Sequence, residues 1–120
     1  MSKTQFEGTF LVADFAILVD FVTDWLGWPK SKIRTIGEEL VYSDDATHLY
    51  CQTAMWNPGP LTSFLAEGSF KGDNRKTLER IEQMKTACVR NGVGCDLVFT
   101  SLDDNGEPVG EEIEIIVPTA

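Results

Sequence analysis

The stretch Phe70-Lys71-Gly72-Asp73-Asn74-Arg75-Lys76 is one of two places in this chain where residue types and spacing suggest a chemistry. It reads as a strand end, a glycine turn and a helix start, set among three cations. Amides at a helix N-terminus present unfilled donors and partial positive charge, which suits a phosphate. Lys71, Arg75 and Lys76 add charge around the turn at Gly72 and Asn74, and an arginine can grip phosphate bidentately. With Trp56, Asn57 or the basic loop of Lys30, Lys32 and Arg34 completing it, the spot would take a phosphate-bearing nucleotide. Two features oppose this. Asp73 can cap the helix and occupy the same amides, and the cations can pair along the helix with Glu79 and Glu82.

The second place is the C-terminal quarter. Past Arg90 there is no Lys or Arg, yet seven carboxylates follow: Asp96, Asp103, Asp104, Glu107, Glu111, Glu112 and Glu114. Six cations lie just upstream, at Lys71, Arg75, Lys76, Arg80, Lys85 and Arg90. A surface sorted in this way steers partners through its field. Asp103, Asp104, Glu107, Glu111, Glu112 and Glu114 would form the acidic face of an interface, with Trp28 or Trp56 as its apolar anchor. The complementary partner is a basic protein, and an enzyme that handles nucleic acid has such a surface of necessity.

Other chemistries find no support. His48 is the only histidine and lies three residues from Cys51. On a strand that spacing sends the two side chains to opposite faces, so they would not form a nucleophile–base pair. Cys51, Cys88 and Cys95 have neither C-x-x-C nor zinc spacing. The Asp103–Glu107 turn lacks the alternating ligands of a calcium loop, and there is no Walker, G-x-G-x-x-G or G-x-S-x-G motif. No catalytic residue, metal or cofactor is therefore expected.

Composition agrees with a binding role. The 120 residues carry a formal net charge of −9, which disfavours direct contact with nucleic acid or an anionic membrane surface. The 42% hydrophobic content is that of a globular chain, and its length suits one domain over residues 1–120. No apolar run approaches the ~18–20 residues that span a bilayer. Residues 1–10 lack a secretory pattern, so a cytoplasmic protein with reduced, mostly buried thiols is expected.

The elements that must position these groups follow from periodicity. Residues 5–12 alternate as a strand, with Phe6, Phe10 and Val12 on one side. From Asp14 to Leu26 the apolar residues Phe15, Leu18, Val19, Val22, Trp25 and Leu26 take helical spacing, leaving Ile17 and Phe21 outside the stripe. Residues 28–37 read as a loop. Strands are expected over Glu38–Ser43, His48–Trp56 and Thr62–Phe70. A second helix follows, capped by Asp73 or Asn74, buried through Leu78, Ile81, Met84, Cys88 and Val89, and closed at Asn91-Gly92. Strands over 93–102 and 109–117 end the chain, joined by Asp103-Asp104-Asn105-Gly106. Glu112 and Glu114 should decorate the wetter face of the sheet.

The order β-α-β-β-β-α-β-β implies an α+β fold, a mostly antiparallel sheet with two helices packed on one face. Two functional readings follow. The first is a non-enzymatic stoichiometric inhibitor, of the immunity or anti-defence kind, that covers a basic partner. The second is a nucleotide-sequestering protein, a homo-oligomer whose assembly would use Ile17 and Phe21.

Overall fold

A computed structural model describes residues 3–27, 33–43, 45–54, 61–72 and 74–118. Alternating residues form β1 (Lys3–Val12), which buries Phe6, Phe10 and Val12 on one side. The period then lengthens and α1 (Phe15–Leu26) begins. Asp14 caps it by accepting a hydrogen bond from the Ile17 amide at 3.0 Å, and Gly27 closes it. There follow β2 (Arg34–Ile36), β3 (Glu39–Ser43), β4 (Thr47–Thr53), β5 (Thr62–Lys71), α2 (Asn74–Asn91), β6 (Gly94–Leu102) and β7 (Ile113–Val117).

The seven strands form one sheet in the order β2-β3-β4-β5-β1-β6-β7, every pairing antiparallel. The first strand lies inside the sheet between β5 and β6, so the fold closes around its own N-terminal strand. Both helices contribute to a single apolar cluster with one face of the sheet. Phe6, Phe10, Phe21, Trp25, Phe70 and Phe99 form its aromatic centre. Polar ties fix the helix layer. The Trp25 indole donates to the Arg80 carbonyl at 3.0 Å, Asp24 pairs with Arg90 and accepts from Asn91, and Thr4 shares a buried hydrogen bond with Thr77. Among the described residues no helix is long and apolar enough to cross a membrane.

The antiparallel α+β architecture is the expected one, with five differences in detail. Arg34–Ile36 is not loop but an edge strand paired with β3, which adds a strand to the order. The buried stripe of α1 is rotated: Leu18, Phe21, Val22, Trp25 and Leu26 face the sheet, so Phe21 is core and Ile17 packs partly against it. Neither is left over for an oligomer contact. In α2, Leu78 and Val89 are 52% and 78% exposed, and Thr77 and Ala87 take their places. β4 stops at Thr53, short of Trp56. β7 begins at Ile113 rather than 109, because Gly110 turns the chain at positive φ and leaves 103–112 as an exposed connection.

Candidate functional site

One face of the sheet carries the core and the other is open. Strand alternation decides which side chains reach the open face, and register decides which of them meet. A row of paired positions crosses the whole sheet: Arg34, Val41, Tyr50, Glu67, Glu7, Val98 and Glu114, one from each strand. On one side of it runs Gln52–Leu65–Thr9–Asp96–Ile116, and on the other Ser43–His48–Ser69–Gln5–Thr100. Lys3 and Lys71 are partners at the end of β1 and β5.

Two adjoining shallow depressions mark this face, of about 400 Å³ and 590 Å³, and they share Glu7, Glu67 and Val98. The larger one also takes in Tyr50, Asp96 and Glu114. Glu7 and Glu67 stand directly opposite each other on neighbouring strands. Like charges so placed repel, and neither forms an ion pair among the described residues. The Tyr50 phenol, which donates to Gln52 at 3.3 Å, is held above its usual pKa. Desolvation is the main cause, followed by the nearby carboxylate of Glu39 and by the charge of Glu67. Tyr50 therefore stays a neutral donor at the edge of a carboxylate group.

The repulsion has a measurable consequence. Glu67→Gln should keep the fold and raise stability by roughly 0.2–1 kcal/mol, the range for cross-strand pairs. Urea unfolding would show a higher midpoint with an unchanged slope. A lower midpoint would mean that Glu67 makes stabilising contacts that outweigh the repulsion.

The C-terminal carboxylates divide into three groups. Asp103 organises its turn, accepting from the Asn105 amide at 2.9 Å and the Glu107 amide at 3.0 Å, so its charge serves the loop. Asp104, Glu107, Glu111 and Glu112 are exposed along the connection, and Glu112 precedes β7 instead of lying on the sheet. Glu114 joins the open face with Asp96 of β6, as strand alternation required. The anchors Trp28 and Trp56 lie outside the described residues.

The anion site is not assembled from the parts expected of it. Arg75 is an exposed side chain paired with Glu79 at 3.6 Å, and Lys85 pairs with Glu82 at 3.3 Å, as a solvated helix face would have it. The stem of Lys76 lies against Gly72, and Lys71 is exposed beside Lys3. Asp73, Asn57 and the side chain of Asn74 fall outside what is described. Trp56 and Asn57 lie outside the described residues; their described neighbours Ala54 and Leu61 are at the opposite end of the ten-residue β5 from Gly72. At ~3.3 Å per residue that is about 33 Å. Of the basic loop, Lys30 and Lys32 lie outside the described residues, and Arg34 stands on the far edge of the sheet, three strands from β5, about 14 Å at the usual strand spacing.

Among the described residues His48 does not meet a thiol. His48 is exposed on the open face while Cys51 is buried on the other, as their spacing implied. All three thiols are free and buried. Burial pushes Cys51 up to about 12, and Cys88 is held above the usual thiol range by a hydrogen bond with Cys95 and by burial. The Cys95 thiol is lowered by the hydrogen bond with Cys88, but it is buried on the core side of β6, away from His48 on the open face. Among the described residues no three His, Cys, Asp or Glu side chains are spaced to hold a metal.

Glu7, Glu67, Asp96 and Tyr50 were not singled out from sequence. Alternation shows that each points outward from its strand. That they share one face with Glu114 depends on β1 pairing between β5 and β6, which no local signal encodes. Comparison of the chain with protein-family models, curated proteins and solved structures finds no match.

Proposed function

We propose that this chain is a non-enzymatic cytoplasmic binding protein that covers a basic surface on a partner protein, acting as a stoichiometric inhibitor. The observation that supports it is the separation of charge in space. The cations of α2 lie on the helix layer and spend part of their charge on Glu79, Glu82 and Asp24. The carboxylates Glu7, Glu67, Asp96 and Glu114 share the open face of the sheet, and those of the 103–112 connection are exposed beyond the end of β6. A field of this shape accelerates encounter with a basic partner and rejects acidic ones. An enzyme with a nucleic-acid site is the partner type whose chemistry matches.

The test is a titration of such enzymes with the purified chain. Activity should fall to a plateau at one equivalent, and association should slow at least about tenfold as salt rises from low to near-molar concentration. Reversal of Glu111, Glu112 and Glu114 to Lys should abolish binding while circular dichroism stays unchanged. Retained binding by that triple variant removes the acidic connection from the interface. Turnover of a substrate at sub-stoichiometric protein would overturn the reading in favour of an enzyme.

A further inference from the structure

We infer that the open sheet face is the docking site for an extended, arginine-bearing segment of the partner, with one arginine seated between Glu7 and Glu67 beside Tyr50. This rests on the reading that the partner is basic, and it moves the centre of recognition from the C-terminal connection to the middle of the sheet.

Among the described residues no element packs on this face, which spans seven strands, and the two depressions lie on it around the Glu7–Glu67 pair. A directly opposed pair of carboxylates is a cross-strand arrangement that folding alone disfavours. It becomes favourable when a cation sits between the two. A guanidinium is suited to that place, because its planar fork of donors can bond two carboxylates at once. Adjacent strands are ~4.8 Å apart, so each carboxylate root stands about 2.4 Å to one side of the midpoint. Tyr50 is the next residue along the row and offers a ring against which a guanidinium can lie.

The row also sets a spacing. From the midpoint of Glu7 and Glu67, across Val98 to Glu114, is two and a half strand intervals, about 12 Å. An extended chain covers that in three to four residues. A second cation at that distance from the first would meet Glu114, with Asp96 on the neighbouring row. Val98 gives the intervening residues an apolar floor, and Leu65, 44% exposed, extends it beside Glu67 on β5. A second copy of this chain is the wrong occupant for the same face. It would bring Glu7, Glu67, Asp96 and Glu114 of each protomer together with only Lys3 and Lys71, at one end of β1 and β5, and Arg34 at the sheet edge to oppose them, and desolvated like charges repel strongly.

The experiment is a titration of isotopically labelled protein with the peptide acetyl-Ser-Arg-Ser-Ser-Ser-Arg-Ser-amide at low salt, followed by amide chemical shifts. The result expected is a set of shifts confined to Glu7, Tyr50, Glu67, Asp96, Val98 and Glu114. Glu7→Gln combined with Glu67→Gln should weaken affinity at least about tenfold, the loss of one charge-assisted hydrogen-bond pair. Because that variant removes repulsion, its fold should be retained, and unchanged spectra elsewhere would show it. Shifts confined to residues 103–112 would overturn the site but leave the basic-partner reading standing. No shift anywhere would overturn the site, and the enzyme titration above then decides the wider reading separately. Equal affinity for spermidine would overturn it in favour of unspecific cation adsorption. Concentration-dependent broadening of the same amides without peptide would overturn it in favour of self-association.

Discussion

Gly8→Ala is expected to destabilise the protein by about 2–6 kcal/mol, a large part of what a domain of this size possesses. Two costs combine. A Cβ at this position would run into the backbone of β6 at the Asp96 carbonyl and Leu97, and the obstacle is main chain rather than the end of a flexible side chain. Forcing groups apart in a packed region costs ~1–3 kcal/mol. The residue also sits at φ 154°, a region that side chains disfavour by ~1–3 kcal/mol. Gly106→Ala is the control. It has positive φ in the β6–β7 turn but nothing near its Cβ, so only the second cost applies. Urea unfolding of the two variants should differ by the cost of the strand contact. Equal midpoints would falsify the idea that β1 and β6 meet too closely for a side chain. Gly68 presents the same situation on β5, where the Phe6 ring and the His48 carbonyl occupy the space a methyl would need. These two glycines let the central strands approach beneath the depressions of the open face.

That contact shows where sequence reading stops. Gly8 and Gly68 interrupt two strands whose alternation is otherwise plain, and an isolated glycine in a strand is a sign of close approach. The sign does not say what approaches. The same limit governs the site. Glu7 and Glu67 both lie on the polar side of their strands by simple alternation, yet they become a pair only through the β1–β5 register. Elements set by short-range signals were legible: Asp14 and Gly27 bound α1, and Asp103 to Gly106 make the last turn. The face of a helix was less so. Both Val19 and Phe21 are apolar, and only packing against Phe10 and Trp25 selects Phe21 as core. In α2 a threonine at position 77 displaces Leu78 from the buried face because its hydroxyl finds Thr4 on β1, a partner 73 residues away. The strand Arg34–Ile36 was missed for a related reason. Three residues at a sheet edge bury almost nothing, so their pairing leaves no apolar pattern to read.

Trp25→Ala should cost about 3–5 kcal/mol, the range for removing a large aromatic from a filled core. The residue is 3% exposed and its ring meets Phe6, Phe10, Phe21 and Phe70 at centroid distances of 5.9, 6.3, 5.7 and 5.8 Å. These neighbours come from β1, α1 and β5, so one side chain joins a helix to two central strands. Its indole N–H reaches across to the Arg80 carbonyl and joins α1 to α2 as well. Trp25→Phe separates the two contributions. It keeps much of the ring packing but removes this part-buried hydrogen bond, a loss of about 0.5–1.5 kcal/mol. The Ala variant should therefore unfold at a much lower urea concentration than the Phe variant, and both below the parent. Native-state hydrogen exchange adds the location, since amides of α1 and α2 should lose protection before those of β1 and β5. If the Phe variant proves as costly as the Ala variant, the hydrogen bond rather than the ring cluster holds the helix layer. If neither moves the midpoint by more than a few tenths of a molar, the aromatic centre is not what fastens the helices to the sheet. The open face lies on the other side of the same strands, so a binding site there is only as rigid as this layer behind it. A loosened Trp25 should thus lower affinity for an arginine-bearing segment without touching any residue that contacts it.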